Sequence, residues 1–261
     1  MHHHEQTIDA FTASQALRPE VLGLVVIGSV ARGDERPDSD VDVYLVITDE
    51  AYAAAEQSGA VAYVSDVGVS YDGGYVDVKL ASPRYLNEAA DHGDDPTRAS
   101  FDAGRVTLDR RGDLARLVAR MGELPDEVWG ARIRAYRAQL ALYGDYFLPQ
   151  AYGRGDRFLL QHSAVHASLA AGRCALARNR RLFRGQKYLA ADLAGLPDLP
   201  EAFLASWWLV VDQPSPAAAR DLIAVIDAWS GEPLTVDEAV SAFIAANELA
   251  WLNHTIPPEF W

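Results

Sequence analysis

The stretch that most constrains this chain is Val26-Ile27-Gly28-Ser29-Val30-Ala31-Arg32-Gly33, followed a few residues on by Ser39-Asp40-Val41-Asp42-Val43. It is bracketed by two apolar, β-rich runs, Val21 to Ile27 and Val41 to Ile47, the pattern of buried strands. Alternation along a strand puts Asp40 and Asp42 on one face and turns Val41 and Val43 into the sheet packing. Two carboxylates held that close repel each other unless a cation sits between them. Magnesium is the usual cation for an all-oxygen site that also receives phosphates. Gly28 lets the backbone approach a ligand closely. Ser29 offers its hydroxyl and the free amides of a following helical turn, Val30 to Gly33, to phosphate oxygens, and Arg32 adds a positive charge. Strand, Gly-Ser, turn and paired carboxylates form an arrangement suited to phosphoryl or nucleotidyl transfer.

Around this segment the pattern is mixed, and further on it is purely helical. Residues 5 to 18 read as an amphipathic helix with Ile8, Phe11 and Leu17 on its apolar side. Asp49 is placed to cap a helix over 50–57. Val61 to Val69 and Tyr75 to Ala81 read as strands joined by Tyr71-Asp72-Gly73-Gly74. Ser82-Pro83 starts a helix, and Gly104 to Asp109 makes a short edge strand. From about Pro125 onward, Asp126 to Phe147, Asp156 to Asn179, Pro216 to Trp229 and Thr235 to Leu252 carry apolar residues at helical spacing, the last behind a capping box at Thr235 and Glu238. The expected fold is α+β: an N-terminal domain over 1–122 with a mixed sheet and helices, and a C-terminal α-helical bundle over 123–261 that completes the cleft.

Composition narrows the partners. The formal charge of −14 weighs against nucleic acid and favours cationic small molecules. No apolar run reaches the ~18 residues of a membrane span, and the start carries no apolar signal region, so a cytoplasmic protein is expected. The sole cysteine, Cys174, sits in an alanine-rich stretch and reads as buried filler, which fits a reducing compartment. His2, His3 and His4 read as native residues or as the remnant of a tag, and are set aside as a metal site. Of 23 basic residues only Lys79 and Lys187 are lysines.

The segment resembles the signature of the DNA polymerase β-type nucleotidyltransferase superfamily, a Gly-Ser followed by Asp-x-Asp on the next strand. That resemblance implies a third carboxylate from a later strand. Asp77, in Tyr75-Val76-Asp77-Val78-Lys79, is the candidate, with Asp72 the weaker alternative; a cross-strand salt bridge is the plainer account of Asp77 and Lys79. The resemblance implies Asp40, Asp42 and Asp77 as catalytic residues and ligands of two Mg²⁺ ions, with Gly28, Ser29 and Arg32 on the nucleotide. Arg181 to Leu189 resembles a segment of the aminoglycoside nucleotidyltransferases, which makes Lys187 a triphosphate ligand and Tyr188 its neighbour. By this likeness the donor is ATP and the acceptor a hydroxyl of a small, cationic molecule such as an aminoglycoside, with pyrophosphate released. Glu88, Asp91, Asp94 and Asp95 could line an acceptor pocket, or be a solvated helix and loop. The competing readings are transfer to a tRNA or protein, and a nucleotide-binding antitoxin or regulatory module without turnover. Arg157-x4-His162 matches the spacing of a ribonuclease motif in HEPN helical domains but lacks a supporting site. The oligomeric state is not legible.

Overall fold

The structure is a computed structural model that describes residues 1–231 and 233–258. The chain divides into two compact units, Met1–Glu123 and Leu124–Trp261.

The first unit is built on a mixed five-stranded sheet in the order β3-β4-β2-β1-β5. The strands are β1 Val21–Val26, β2 Val41–Ile47, β3 Ala62–Ser65, β4 Val76–Ala81 and β5 Arg105–Asp109. β1 runs antiparallel to β2 and β5, β3 antiparallel to β4, and β2 and β4 lie parallel. The central strands are apolar on both faces because both are covered. Val41, Val43, Leu45, Val76 and Val78 pack with Ile8 and Phe11 of α1 (His2–Gln15). Tyr44 and Val46 on the other face pack with Leu86, Ala90, Leu117 and Val118. The connecting helices are α2 (Gly28–Arg32), α3 (Asp49–Ser58), α4 (Pro83–His92), α5 (Asp95–Ser100) and α6 (Leu114–Arg120).

Several local expectations shift by a turn or less. α1 starts at His2 and ends at Gln15, which leaves Leu17 86% exposed, outside the helix and its apolar side. Thr48, not Asp49, caps α3, its hydroxyl accepting from the Ala51 amide; Asp49 instead accepts from the Arg84 amide at 3.1 Å. The expected strand from Val61 to Val69 shrinks to Ala62–Ser65, an edge strand that is largely exposed. Ser82 caps α4 as expected.

The second unit is helical: α7 (Asp126–Ala141), α8 (Leu148–Arg154), α9 (Arg157–Arg178), α10 (Gln186–Ala194), α11 (Phe203–Asp212), α12 (Pro216–Ser230) and α13 (Val236–Phe243), with π-helical stretches at Leu142–Phe147 and Ile244–Glu248. α9 is its central element. From Ala167 to Ala177 nearly every residue is buried, and its alanines let Tyr136, Phe203 and Trp207 approach closely. Cys174 is fully buried among them, and burial pushes its thiol up to about 12. The Thr235–Glu238 capping box forms. Among the described residues no helix is long and apolar enough to cross a membrane.

Candidate active site

Asp40, Asp42 and Asp77 lie at one end of the sheet. β1 ends at Val26, and the Ile27 amide donates to the Asp42 carbonyl at 2.9 Å, so the turn after β1 is fastened beside Asp42. Gly28 then takes a φ of +72°, in the left-handed region. A β-carbon there would stand 2.1 Å from Asp42 Oδ2 and 2.8 Å from its Cγ. The Asp42 carboxylate therefore occupies the space a side chain at position 28 would fill, and only glycine satisfies both the dihedral and the contact.

The parallel ladder pairs Asp42 with Asp77, Val41 with Val76 and Val43 with Val78. Asp42 and Asp77 thus stand on adjacent strands about 4.8 Å apart along the hydrogen-bonding direction and project from the same face. Asp40 lies one residue before β2, and the amide after it, Val41 N–H, donates to the Tyr75 carbonyl at 3.0 Å. All three carboxylates are partly exposed.

Tyr75 registers the negative field of the whole group. Its phenol is held above its ordinary pKa, first by a hydrogen bond to Asp40 and the charge of that carboxylate, then by burial and the charges of Asp77 and Asp42. Lys79, on the same face of β4, has no salt bridge to Asp77 or to any other described carboxylate, so the cross-strand pair is absent. Asp72 lies exposed in its turn.

The remaining predicted residues divide between the units. Ser29 is the second residue of α2, and its carbonyl accepts from the amides of Gly33 and Asp34. The guanidinium of Arg32 pairs with Asp34 at 3.2 Å while its side chain is only 17% exposed. Lys187 and Tyr188 open α10 in the helical unit, with the Lys187 ammonium 4.8 Å from the centre of the Tyr188 ring and the Arg184 guanidinium at the same distance. Of the acidic group after β4, Asp94 caps α5, Asp95 is buried and Asp91 pairs with Arg120 at 2.6 Å; only Glu88 is unengaged and exposed. In the helical unit, the His162 ring lies parallel to that of Phe158 and packs against His166 at a tilt of 46°. Trp207 is buried with its indole N–H on the Ser168 carbonyl, while Trp208 and Trp251 are exposed.

Among the described residues, no three His, Cys, Asp or Glu side chains are drawn together closely enough to cage a metal ion by themselves. Magnesium is ordinarily held by one or two carboxylates, with waters and phosphate oxygens completing its shell. The register pair Asp42 and Asp77, with Asp40 alongside, fits that mode: all donors are hard oxygens, and among the described residues no cationic side chain pairs with Asp40 or Asp77.

Sequence reasoning passed over two contributors. Tyr75 shares the face of Asp77 by simple alternation, which was the available signal. His4 belongs to the buried stripe His4, Ile8, Phe11, Gln15 of α1, and that helical spacing was the available signal. His3 and His4 are packed parts of the fold.

Residues 11–93 match the family model of the nucleotidyltransferase domain, a span that contains all three carboxylates and the Gly28-Ser29 turn. No curated protein matches the chain in sequence. Among solved structures, the chain is similar in fold to a nucleotidyltransferase-like protein from Exiguobacterium sibiricum, with a TM-score of 0.51 and 11% sequence identity over 93% of this chain and 76% of that one. The N-terminal unit thus carries a nucleotidyltransferase domain, followed by a helical region.

Proposed function

We propose that this protein moves a nucleoside monophosphate from a nucleoside triphosphate to an acceptor hydroxyl. One observation carries the reading: Asp42 stands in register with Asp77 and against the bare α-carbon of Gly28, within a stretch that matches the nucleotidyltransferase domain. Asp40, Asp42 and Asp77 would hold two Mg²⁺ ions, which supply charge neutralisation at the attacking and leaving oxygens.

The chain's own residues have distinct tasks in this reading. Gly28 and Ser29 receive the triphosphate at the opening of α2, with Arg32 adding positive charge. Asp77 takes the proton of the acceptor hydroxyl. The hydroxyl oxygen bonds to the α-phosphorus as the bond from that phosphorus to the pyrophosphate bridging oxygen breaks, and the proton passes from Asp77 to water. Lys187 serves as a point charge toward the triphosphate, with Tyr188 beside it. ATP is the proposed donor. The net charge of −14 supports a cationic acceptor of aminoglycoside type.

The test is incubation of the purified protein with α-labelled ATP, Mg²⁺ and a panel of aminoglycosides, following label transfer and pyrophosphate release. Asp42→Asn should abolish transfer while circular dichroism stays unchanged. Unaltered turnover in that variant removes the site assignment, and a panel with no labelled product removes the aminoglycoside acceptor.

A further inference from the structure

The carbonyl of Ser39, immediately before Asp40, accepts two hydrogen bonds from side chains of two different elements. His4 Nε2 of α1 reaches it at 3.1 Å, and the Tyr71 hydroxyl reaches it at 2.8 Å. A carbonyl can only accept, so His4 carries its proton on Nε2. The imidazole is fully buried, and its Nδ1 has no hydrogen-bond partner. His4 and Tyr71 also pack on each other edge to face, their ring centres 5.0 Å apart. Next to them, His3 Nε2 donates to the Pro37 carbonyl at 3.1 Å. The loop is closed on itself as well, with Arg36 N–H on Ser39 Oγ and Ser39 N–H on the Arg36 carbonyl.

A peptide group is planar, so fixing the Ser39 carbonyl also fixes the amide and α-carbon of Asp40. On the far side, the Val41 amide is held by the Tyr75 carbonyl. The backbone of Asp40 is thereby pinned in front and behind, although Asp40 itself lies outside the β2 ladder. Gly28 and the parallel pairing position Asp42, whereas Asp40, one residue before β2, has no ladder partner of its own.

We propose that His4 and Tyr71 are positioning residues for Asp40: by gripping the Ser39 carbonyl they aim its carboxylate at the metal it shares with Asp42. This rests on the nucleotidyltransferase reading above. Residues that orient metal ligands typically change metal affinity by about 10–100-fold when removed, and the effect belongs to the donor N–H. His4→Leu removes it at similar volume, whereas His4→Gln keeps an amide N–H at comparable reach.

Mn²⁺ binding to the nucleotide-free protein, read by electron paramagnetic resonance alongside thermal unfolding, separates these cases. The expected result is a Kd raised about tenfold in His4→Leu and restored to within about threefold in His4→Gln. Tyr71→Phe, which keeps the ring, should weaken binding in the same direction, and it decides the matter if His4→Leu fails to fold. Wild-type affinity in folded His4→Leu and Tyr71→Phe, with Asp42→Asn weakened, overturns the positioning role alone. An equal loss in His4→Gln and His4→Leu, tracking their loss of thermal stability, also overturns it. Wild-type protein that binds no Mn²⁺, or an Asp42→Asn variant that binds as well as wild type, overturns the metal site and this inference with it.

Discussion

At position 28 the contact and the dihedral act together. Gly28→Ala meets the Asp42 carboxylate at 2.1 Å and a left-handed backbone, so a stability loss of about 1–2 kcal/mol from the dihedral is expected. A larger loss of transfer should follow as Asp42 is pushed aside; urea titration and the transfer assay read the two separately. Asp77→Asn should lower kcat by about 10²–10⁴-fold if its carboxylate takes the acceptor proton, with KM for ATP little changed. His4 gives a pH signature. Burial lowers its pKa, against the raising effect of the Ser39 carbonyl and of Glu35, with His3 opposing a second positive charge; the Tyr71 ring packs beside it as a neutral group. The unfolded imidazole therefore binds a proton that the folded one resists. Stability is present above about pH 6.5 and lost as the pH falls below it. Wild type should lose more of its urea midpoint than His4→Gln between about pH 7.5 and pH 5.

The elements explain what the sequence could and could not reveal. β2 was legible to the residue because a run apolar on both faces has a sharp beginning and end, and Asp77 was legible because valines flank it at strand spacing. Its pairing with Asp42 was not, since register between parallel strands is set by contacts some 35 residues apart in sequence. The edge strand β3 was overextended because neither of its faces is buried, so Val64 and Val67 mark no boundary. α5, α6, α8, α10 and α11 went unassigned as separate elements: at 6 to 10 residues each, they are too short for helical periodicity to stand out. The role of α1 is testable directly. Phe11 is buried against β1 and β2, so Phe11→Ala should cost about 3–5 kcal/mol by chemical denaturation.

At the scale of the molecule, each unit has its own apolar core. Cys174, the only thiol in the chain, lies in the core of the helical unit with its ionisation suppressed by burial. It should resist a disulfide reagent in native buffer and react once that unit unfolds, which lets a thiol assay follow the helical unit independently of the sheet. The parallel pairing of β2 with β4 has a consequence for biosynthesis. Asp40 and Asp42 leave the ribosome well before Asp77, and a parallel neighbour can be added only after the chain has crossed back through α3 and β3. A nascent chain that ends before Ala81 holds the first two acidic residues without the full strand that carries the third, so the group of three is assembled only after synthesis has passed β4.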